Sequence, residues 1–412
     1  MYSKFKNKIT IALAAVGPGL FLIGYNIGTG SITTMAKTGA EHGMSLFWAL
    51  VLSCIFTYIL MVAYGKTTIV TGRTALNNIK TEFKRGWIIA IYILIALIIG
   101  ELLALIGVMG IVAELTQEAI RLLTGGILVN TFWIILFYAV LLIILLWYGN
   151  YQAFEKVLTF FVILMGVSFI VVFFMMKPDL GAIAKGLVPG IPDIPGAYGL
   201  VAAIAGTTCS AAVFIMRSTV VAEKGWKIDD LKTEKRDSFT PAGMMLLLSG
   251  IIMAVAAGTL NIMGLKLENT VELIHLFEPI GGKMAAFILI LGIVGAGLST
   301  IFPIVLIAPW LISDYAGKPR NIHSTQSRIL ILIGMAFAFG SVILEQRPPA
   351  LMVFSQAFQA CILPAVAIPV YFLMNRTSLM KQFKAKPSEN VGVVAAIVFS
   401  LITTYYAIIE FF

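Results

Sequence analysis

Long apolar runs dominate the chain, and they show neither strict alternation nor a one-sided helical period. Examples are residues 87–100, 132–147 and 160–176. Runs that approach or exceed about 18 residues with few charges are typical of membrane-spanning helices, because hydrocarbon forces each backbone group to bond within its own segment. The pattern predicts an all-α integral membrane protein with about eleven spans, at 11–36, 45–64, 87–109, 132–148, 154–176, 197–222, 239–263, 284–313, 327–344, 349–373 and 391–410.

The charged residues support a membrane location and predict an orientation. Only 12% of the 412 residues are charged, whereas a soluble domain carries about a quarter. Of the 29 Lys and Arg residues, 21 lie in the N-terminal segment and every second loop, and 7 lie in the alternate loops. This asymmetry predicts a plasma (inner) membrane protein with a cytoplasmic N-terminus and, for an odd number of spans, an external C-terminus. The net charge of +9 therefore reflects topology and attraction to anionic lipid, and it does not indicate nucleic-acid binding.

Cysteine and histidine positions give no sign of catalysis. The three cysteines fall inside predicted spans and the three histidines fall in predicted loops, far apart in sequence. Neither set has the spacing of a metal site or of a nucleophile with its base. The sequence therefore predicts no enzyme and no cofactor.

Two predicted spans are interrupted by small and polar residues, the first near 26–31 and the sixth near 206–212. The interrupted spans are five apart in order. Paired helix breaks in corresponding places are typical of transporters built from two inverted repeats. We therefore expect one transmembrane domain over 1–412, with a five-helix repeat at 11–176, an inverted repeat at 197–373 and an extra helix at 391–410.

The interruptions predict a substrate site. Glycine lowers helix stability by about 1 kcal/mol, and unwound backbone at membrane depth must line a cavity or be buried in protein. A half-helix that starts near the first break offers free N–H groups and a positive dipole end to an anion. Close packing between helices is the alternative role for small residues. The predicted substrate-binding residues at the two breaks are Asn26, Gly28, Thr29, Gly30, Ser31, Thr207, Thr208, Cys209 and Ser210.

The stretch GPGLFLIGYNIGTGSITTMAKTGAEHGMSLFWALV resembles the first two helices of the Nramp family of proton-coupled divalent-metal transporters. The family's D-P-G-N motif falls on the sequence Gly28-Thr29-Gly30-Ser31, and its M-P-H motif falls on Ser210-Ala211-Ala212. Segments 292–300 and 354–369 are also similar. The resemblance covers most of the chain and implies eleven helices in a LeuT-like fold, working as a secondary transporter by alternating access.

The resemblance also implies a changed site. Nramp transporters hold a metal ion with the Asp and Asn of D-P-G-N and the Met of M-P-H, and those positions are Gly28, Ser31 and Ser210 here. A divalent ion that loses water needs anionic oxygen or softer nitrogen and sulfur donors. Gln356, which matches a glutamine of the family's site, is a further predicted substrate-binding residue and a possible metal ligand. We expect manganese and iron binding to be lost.

Proton coupling is expected to be lost as well. The acidic residue of the family's first helix is Gly28 here, and the M-P-H histidine is Ala212. Glu101 is the only carboxylate deep inside a predicted span, and Arg217 is the only base there. Because a lone charge in the membrane interior is costly, we predict that Glu101 and Arg217 pair. A static ion pair between helices and a role in ion coupling both remain open.

Three functions therefore stay open. The first is transport of a divalent metal through an altered, weaker site. The second is transport of a non-metal solute such as an amino acid or a small anion. The third is a transport-inactive sensor or a channel-like protein. The expected partners are a small-molecule or ion substrate and the lipid bilayer, without nucleic acid, and a monomer is favoured.

Overall fold

The structure, a computed structural model, describes residues 28–148, 151–277, 282–318, 321–344 and 346–411. Every regular element within these ranges is helical. The α-helices are α1 (Thr29–His42), α2 (Phe47–Thr71), α3 (Ala75–Glu82), α4 (Gly86–Thr124), α5 (Thr131–Tyr148), α6 (Tyr151–Met175), α7 (Leu180–Lys185), α8 (Ala197–Thr208), α9 (Ala211–Glu223), α10 (Leu231–Gly258), α11 (Gly282–Tyr315), α12 (Thr325–Phe337), α13 (Gly340–Ile343), α14 (Pro348–Asn375), α15 (Thr377–Met380) and α16 (Pro387–Phe411).

The described residues contain 10 helical stretches that are long and apolar enough to cross a membrane. They coincide with the second to the eleventh predicted spans, so the prediction of an integral membrane protein is confirmed. Most of the first predicted span, residues 11–27, lies outside the described residues. The largest difference in length is α4, which continues to Thr124. Its last turns carry charged residues, which is why the apolar pattern did not include them.

The sixth predicted span is broken, as its sequence predicts. Helix α8 ends at Thr208, and α9 begins at Ala211. The break is narrower than the predicted 206–212, because only Cys209 and Ser210 leave the helical conformation. Both residue types have weak helix propensity. The amide of Val213 bonds to the carbonyl of Ser210 and so starts the new helix.

The broken helix forms the centre of the bundle, and the apolar window of Ala197–Glu223 is 100% buried. On one side α8 packs along α14, and α14 packs in turn against α4 and α16. Elsewhere α11 lies against α4 and α6, and α1 lies against α10. Gly206 sets the closest approach of α8 and α14, because a Cβ there would overlap the carbonyl oxygen of Gln356. The assignment of these helices to two repeats stays a prediction.

The contact at Gly206 generates a stability prediction. Changing Gly206→Ala should destabilise the folded protein by about 1–3 kcal/mol, the usual cost of overpacking, because two backbones must separate. Thermal unfolding in detergent measures this effect. Gly190→Ala is the matched control, since a Cβ at Gly190 meets nothing within 4 Å. Equal melting temperatures for the two variants would contradict the close packing of α8 on α14.

Candidate substrate cavity

A buried polar cavity lies where α1, α8 and α9 meet α4, α11 and α14. Its volume is about 40 Å³. One water molecule needs about 10–15 Å³, so the cavity holds roughly three groups of that size. The residues that line it are Gly28, Gly30, Ser31, Glu101, Ala104, Val108, Thr207, Ser210, Thr300, Ile304, Met352, Gln356 and Gln359.

Two helix N-termini open onto this cavity. Helix α1 starts after Gly28, and α9 starts after Ser210, with both preceding residues in an extended conformation. Neither Gly28 nor Ser210 caps its helix with a side chain, so neither helix start is covered by the residue that precedes it. The Ser31 and Thr207 hydroxyl oxygens lie 3.0 Å apart and join the start of α1 to the end of α8 by a hydrogen bond. The cavity therefore receives the positive ends of two helix dipoles.

Gly28 and Gly30, at the start of α1, leave room for side chains from neighbouring helices. A Cβ at Gly30 would lie 2.7 Å from Cε of Met352 and 2.9 Å from Nε2 of Gln356. A Cβ at Gly28 would overlap Oγ1 of Thr300 on α11. Thr300 therefore fills the space that a side chain at position 28 would occupy.

Glu101 brings a negative group to the same cavity. Its side chain lies on α4, is 3% exposed and accepts a hydrogen bond from Nε2 of Gln359 at 2.7 Å. Gln359 lies on α14, and Gln356 precedes it by one turn. The cavity thus combines helix N-termini and hydroxyls with a carboxylate and two amides.

The predicted pair between Glu101 and Arg217 is wrong. Arg217 is fully buried on α9, and its guanidinium binds Glu234 at 3.1 Å and also Asp237. Both carboxylates lie on α10, which begins at Leu231, well before the predicted span at 239. Their spacing of three residues places them on one helix face.

Two neighbouring residues, Ser238 and Gly65, fix the position of the Glu234 carboxylate. Ser238 donates a hydrogen bond to Oε1 of Glu234 at 2.8 Å. On α2, Gly65 provides room, because a Cβ there would overlap the same carboxylate. The only sequence signal for this arrangement is an acidic pair spaced by three residues in a segment that hydropathy assigns to a loop.

Several predicted site residues lie beside the cavity and not on its wall. Thr29, Thr208 and Cys209 are buried but do not line it. The Thr208 carbonyl accepts a hydrogen bond from Thr57 on α2. Asn26 lies outside the described residues.

Sequence reasoning did not assign six of the residues that line the cavity to the site. They are the apolar Ala104, Val108, Ile304 and Met352 and the polar Thr300 and Gln359. Gln359 could have been found from its spacing to Gln356, since residues three apart share one helix face. No comparable signal marks Thr300 or Met352.

A helical membrane bundle whose broken helix opens onto a central polar cavity has the architecture of secondary transporters. Comparison with known proteins agrees. Residues 19–410 match the family described as natural resistance-associated macrophage protein-like, Nramp. The chain belongs to the Nramp family.

Two relatives carry the name divalent metal cation transporter MntH. The protein from Deinococcus radiodurans is 24% identical over 412 residues, which cover 94% of this chain and 88% of the relative. The protein from Pectobacterium carotovorum is 25% identical over 422 residues, which cover 97% and 95% of the two chains. The similarity therefore extends over nearly the whole length.

Solved structures show the same fold. A histidine-to-alanine mutant of the manganese transporter of Eremococcus coleocola gives a TM-score of 0.72 at 18% identity and covers 97% of this chain and 86% of its own. The nucleobase-cation-symport-1 family transporter Mhp1 gives 0.60 at 16% identity, covering 95% and 92%. MhsT, in complex with L-phenylalanine, gives 0.60 at 14% identity, covering 96% and 98%. The predicted LeuT-like fold is confirmed.

The buried charge cluster of Arg217, Glu234 and Asp237 generates a second prediction. Arg217→Met should destabilise the protein by about 3–5 kcal/mol, because two buried carboxylates lose their cation. Adding Glu234→Gln and Asp237→Asn should recover a large part of this loss. Unfolding in detergent measures both variants.

Arg347→Met is the matched control, since Arg347 pairs with Glu268 at an exposed site and such pairs contribute about 0–1 kcal/mol. A triple variant no more stable than Arg217→Met would contradict the cluster. Glu101→Gln should add independently to the effect of Arg217→Met, since the two residues do not pair.

Proposed function

We propose that this chain is a secondary transporter that moves a small solute with a carboxylate or similar anionic group by alternating access. The observation that carries the proposal is the convergence of two helix N-termini, those of α1 and α9, on one buried cavity. Backbone N–H groups at a helix start bind anions without a basic side chain.

The chemistry of the cavity wall supports an anionic group at this end. Ser31, Thr207 and Ser210 place hydroxyls beside the two helix starts. Each helix dipole stabilises a nearby negative charge by about 0.3–1 kcal/mol, and by up to about 2 kcal/mol where solvent is partly excluded. The same dipoles oppose a cation placed there.

The donor set is a poor one for a dehydrated transition metal. At the aligned motif positions, Gly28 offers no side chain, and Ser31 and Ser210 offer neutral oxygen. Across the described ranges, no group of three or more His, Cys, Asp or Glu residues is placed to hold a metal ion. A divalent ion would therefore keep much of its water in this cavity. We infer that manganese and iron binding of the family type is lost.

Transport of a divalent metal is the second candidate. Membership of the Nramp family favours it, and the relatives named as divalent metal cation transporters cover most of this chain. Gln356 and Glu101 would supply an amide oxygen and a carboxylate oxygen to a partly hydrated ion. Such a site would be weak, because its other ligands would be neutral hydroxyls and water.

We also propose that the family's proton route is absent. Its titratable positions in the first and sixth helices hold Gly28 and Ala212, which cannot take up a proton. Arg217 on α9 forms buried ion pairs with Glu234 and Asp237. Glu101 is the one titratable side chain among the described residues that line the cavity.

The binding test compares metals with carboxylates. We expect calorimetry on the purified protein to show binding of a small carboxylic or amino acid and no binding of manganese, magnesium or calcium in the micromolar range. Ser31→Ala and Thr207→Val should weaken acid binding by about tenfold, because hydrogen bonds to a charged group are lost. Thr38→Val is the control, since the Thr38 hydroxyl bonds within α1, away from the cavity. Micromolar manganese binding that Gln356→Ala abolishes would contradict the proposal.

A gain-of-function test examines the altered metal site. Gly28→Asp, Ser31→Asn and Ser210→Met together should create at best weak manganese binding, because Thr300 occupies the space of a side chain at position 28 and the supporting contacts of metal ligands are missing. Adding Thr300→Ala should improve binding over the triple change. Tight manganese binding by the triple variant alone would show that the pocket is already arranged for metal.

A further inference from the structure

The cavity has a second pole, formed by Glu101 and Gln359. Glu101 lies on α4 and Gln359 on α14, and the two side chains are joined by one hydrogen bond. Both residues line the same cavity as Ser31 and Ser210. The Glu101 carboxylate cannot serve the anion site described above, because it would repel the anion.

The two poles are separated along α14. Gln356 lies at the level of the α1 helix start, because its amide packs against Gly30. Gln359 lies at the level of Glu101, where its amide packs against Gly100. Three residues of helix advance by about 4.5 Å. A small molecule with two functional groups spans such a distance.

The side-chain oxygen Oε1 of Gln359 is a hydrogen-bond acceptor that a bound molecule can use. A carboxylate only accepts hydrogen bonds, so the amide must present Nε2 to Glu101 and turn Oε1 away. Oε1 of Gln359 is buried, and among the described residues no donor reaches it. The side chain as a whole is 3% exposed. A buried acceptor without a donor is uncommon in folded proteins, and a bound molecule with an N–H group would supply one.

We propose that the solute is a small α-amino acid. Its carboxylate binds at the N-termini of α1 and α9, and its ammonium group binds the Glu101 carboxylate and Oε1 of Gln359. This inference rests on the proposed function and adds the second functional group of the solute. Glu101 then recognises the solute directly.

The experiment measures binding of matched ligands to the purified full chain in detergent. Alanine and propionate share a carboxylate and differ in the ammonium group, and glycine and acetate repeat the comparison. We expect the wild-type protein to bind the amino acids at least about tenfold more tightly than the matched acids, the effect of one charged hydrogen-bonding group. This comparison needs no variant.

Variants then assign the difference to named residues. Glu101→Gln should weaken alanine binding by about tenfold or more and leave propionate binding unchanged or stronger, because a repelling charge is removed. Gln359→Leu should weaken alanine binding and spare propionate. Glu118→Gln and Gln117→Leu are matched controls on α4, where Glu118 pairs with Arg121 and Gln117 bonds to the Val129 carbonyl.

The outcomes separate the two proposals. Equal binding of alanine and propionate, weakened equally by Glu101→Gln, would overturn the amino-acid inference and leave the proposed function standing. Failure of every amino acid and every acid to bind, or binding of manganese alone, would overturn both. Preferential binding of alanine that Glu101→Gln leaves intact would overturn the assignment of Glu101 to the ammonium group.

Discussion

Backbone groups at membrane depth have to find partners inside the protein, because hydrocarbon offers none. Cys209 and Ser210 interrupt a helix whose apolar window is entirely buried, so their backbone groups face either protein or a cavity. The start of α1 after Gly28 meets the same condition. The start of α1 and the break in the sixth span lie together, joined by the Ser31 and Thr207 hydroxyls, and the surrounding helices close around them. The cavity lies where these helix ends meet, and its polarity follows from the direction of the helices that begin there.

The buried charged residues form two groups, one that holds helices together and one that lines the cavity. Arg217 is held by Glu234 and Asp237 at the start of α10. Since a buried ion pair is costly to form and more costly to break, this cluster fixes α9 against α10. Glu101 lies instead on the cavity wall. Because its side chain lines the cavity, the Glu101 carboxylate acts on whatever occupies it. A positive pole from helix dipoles and a negative pole from one carboxylate then share a small volume, which is the electrostatic complement of a zwitterion.

The sequence was sufficient for the membrane class and for ten of the spans, because long apolar runs have few alternative structures in a bilayer. It also located the sixth-helix break, where small and polar residues interrupt such a run. It failed for Glu234 and Asp237, since hydropathy cannot distinguish charges in a loop from charges carried inward by an extended α10. It failed for Thr300 because that residue fills the space left by the absent side chain of Gly28, a contact between distant parts of the chain. Contacts between distant helices are set by packing, which a hydropathy pattern does not record.

The most direct test of the central claim is a structure determined after the protein has been equilibrated with both alanine and manganese, with anomalous scattering recorded for the metal. The account predicts ordered density for the amino acid, with its carboxylate at the first turns of α1 and α9 and its ammonium group beside Glu101. It predicts no anomalous peak in the cavity. A manganese peak coordinated by Gln356 and Glu101, with the helix starts unoccupied, would contradict it.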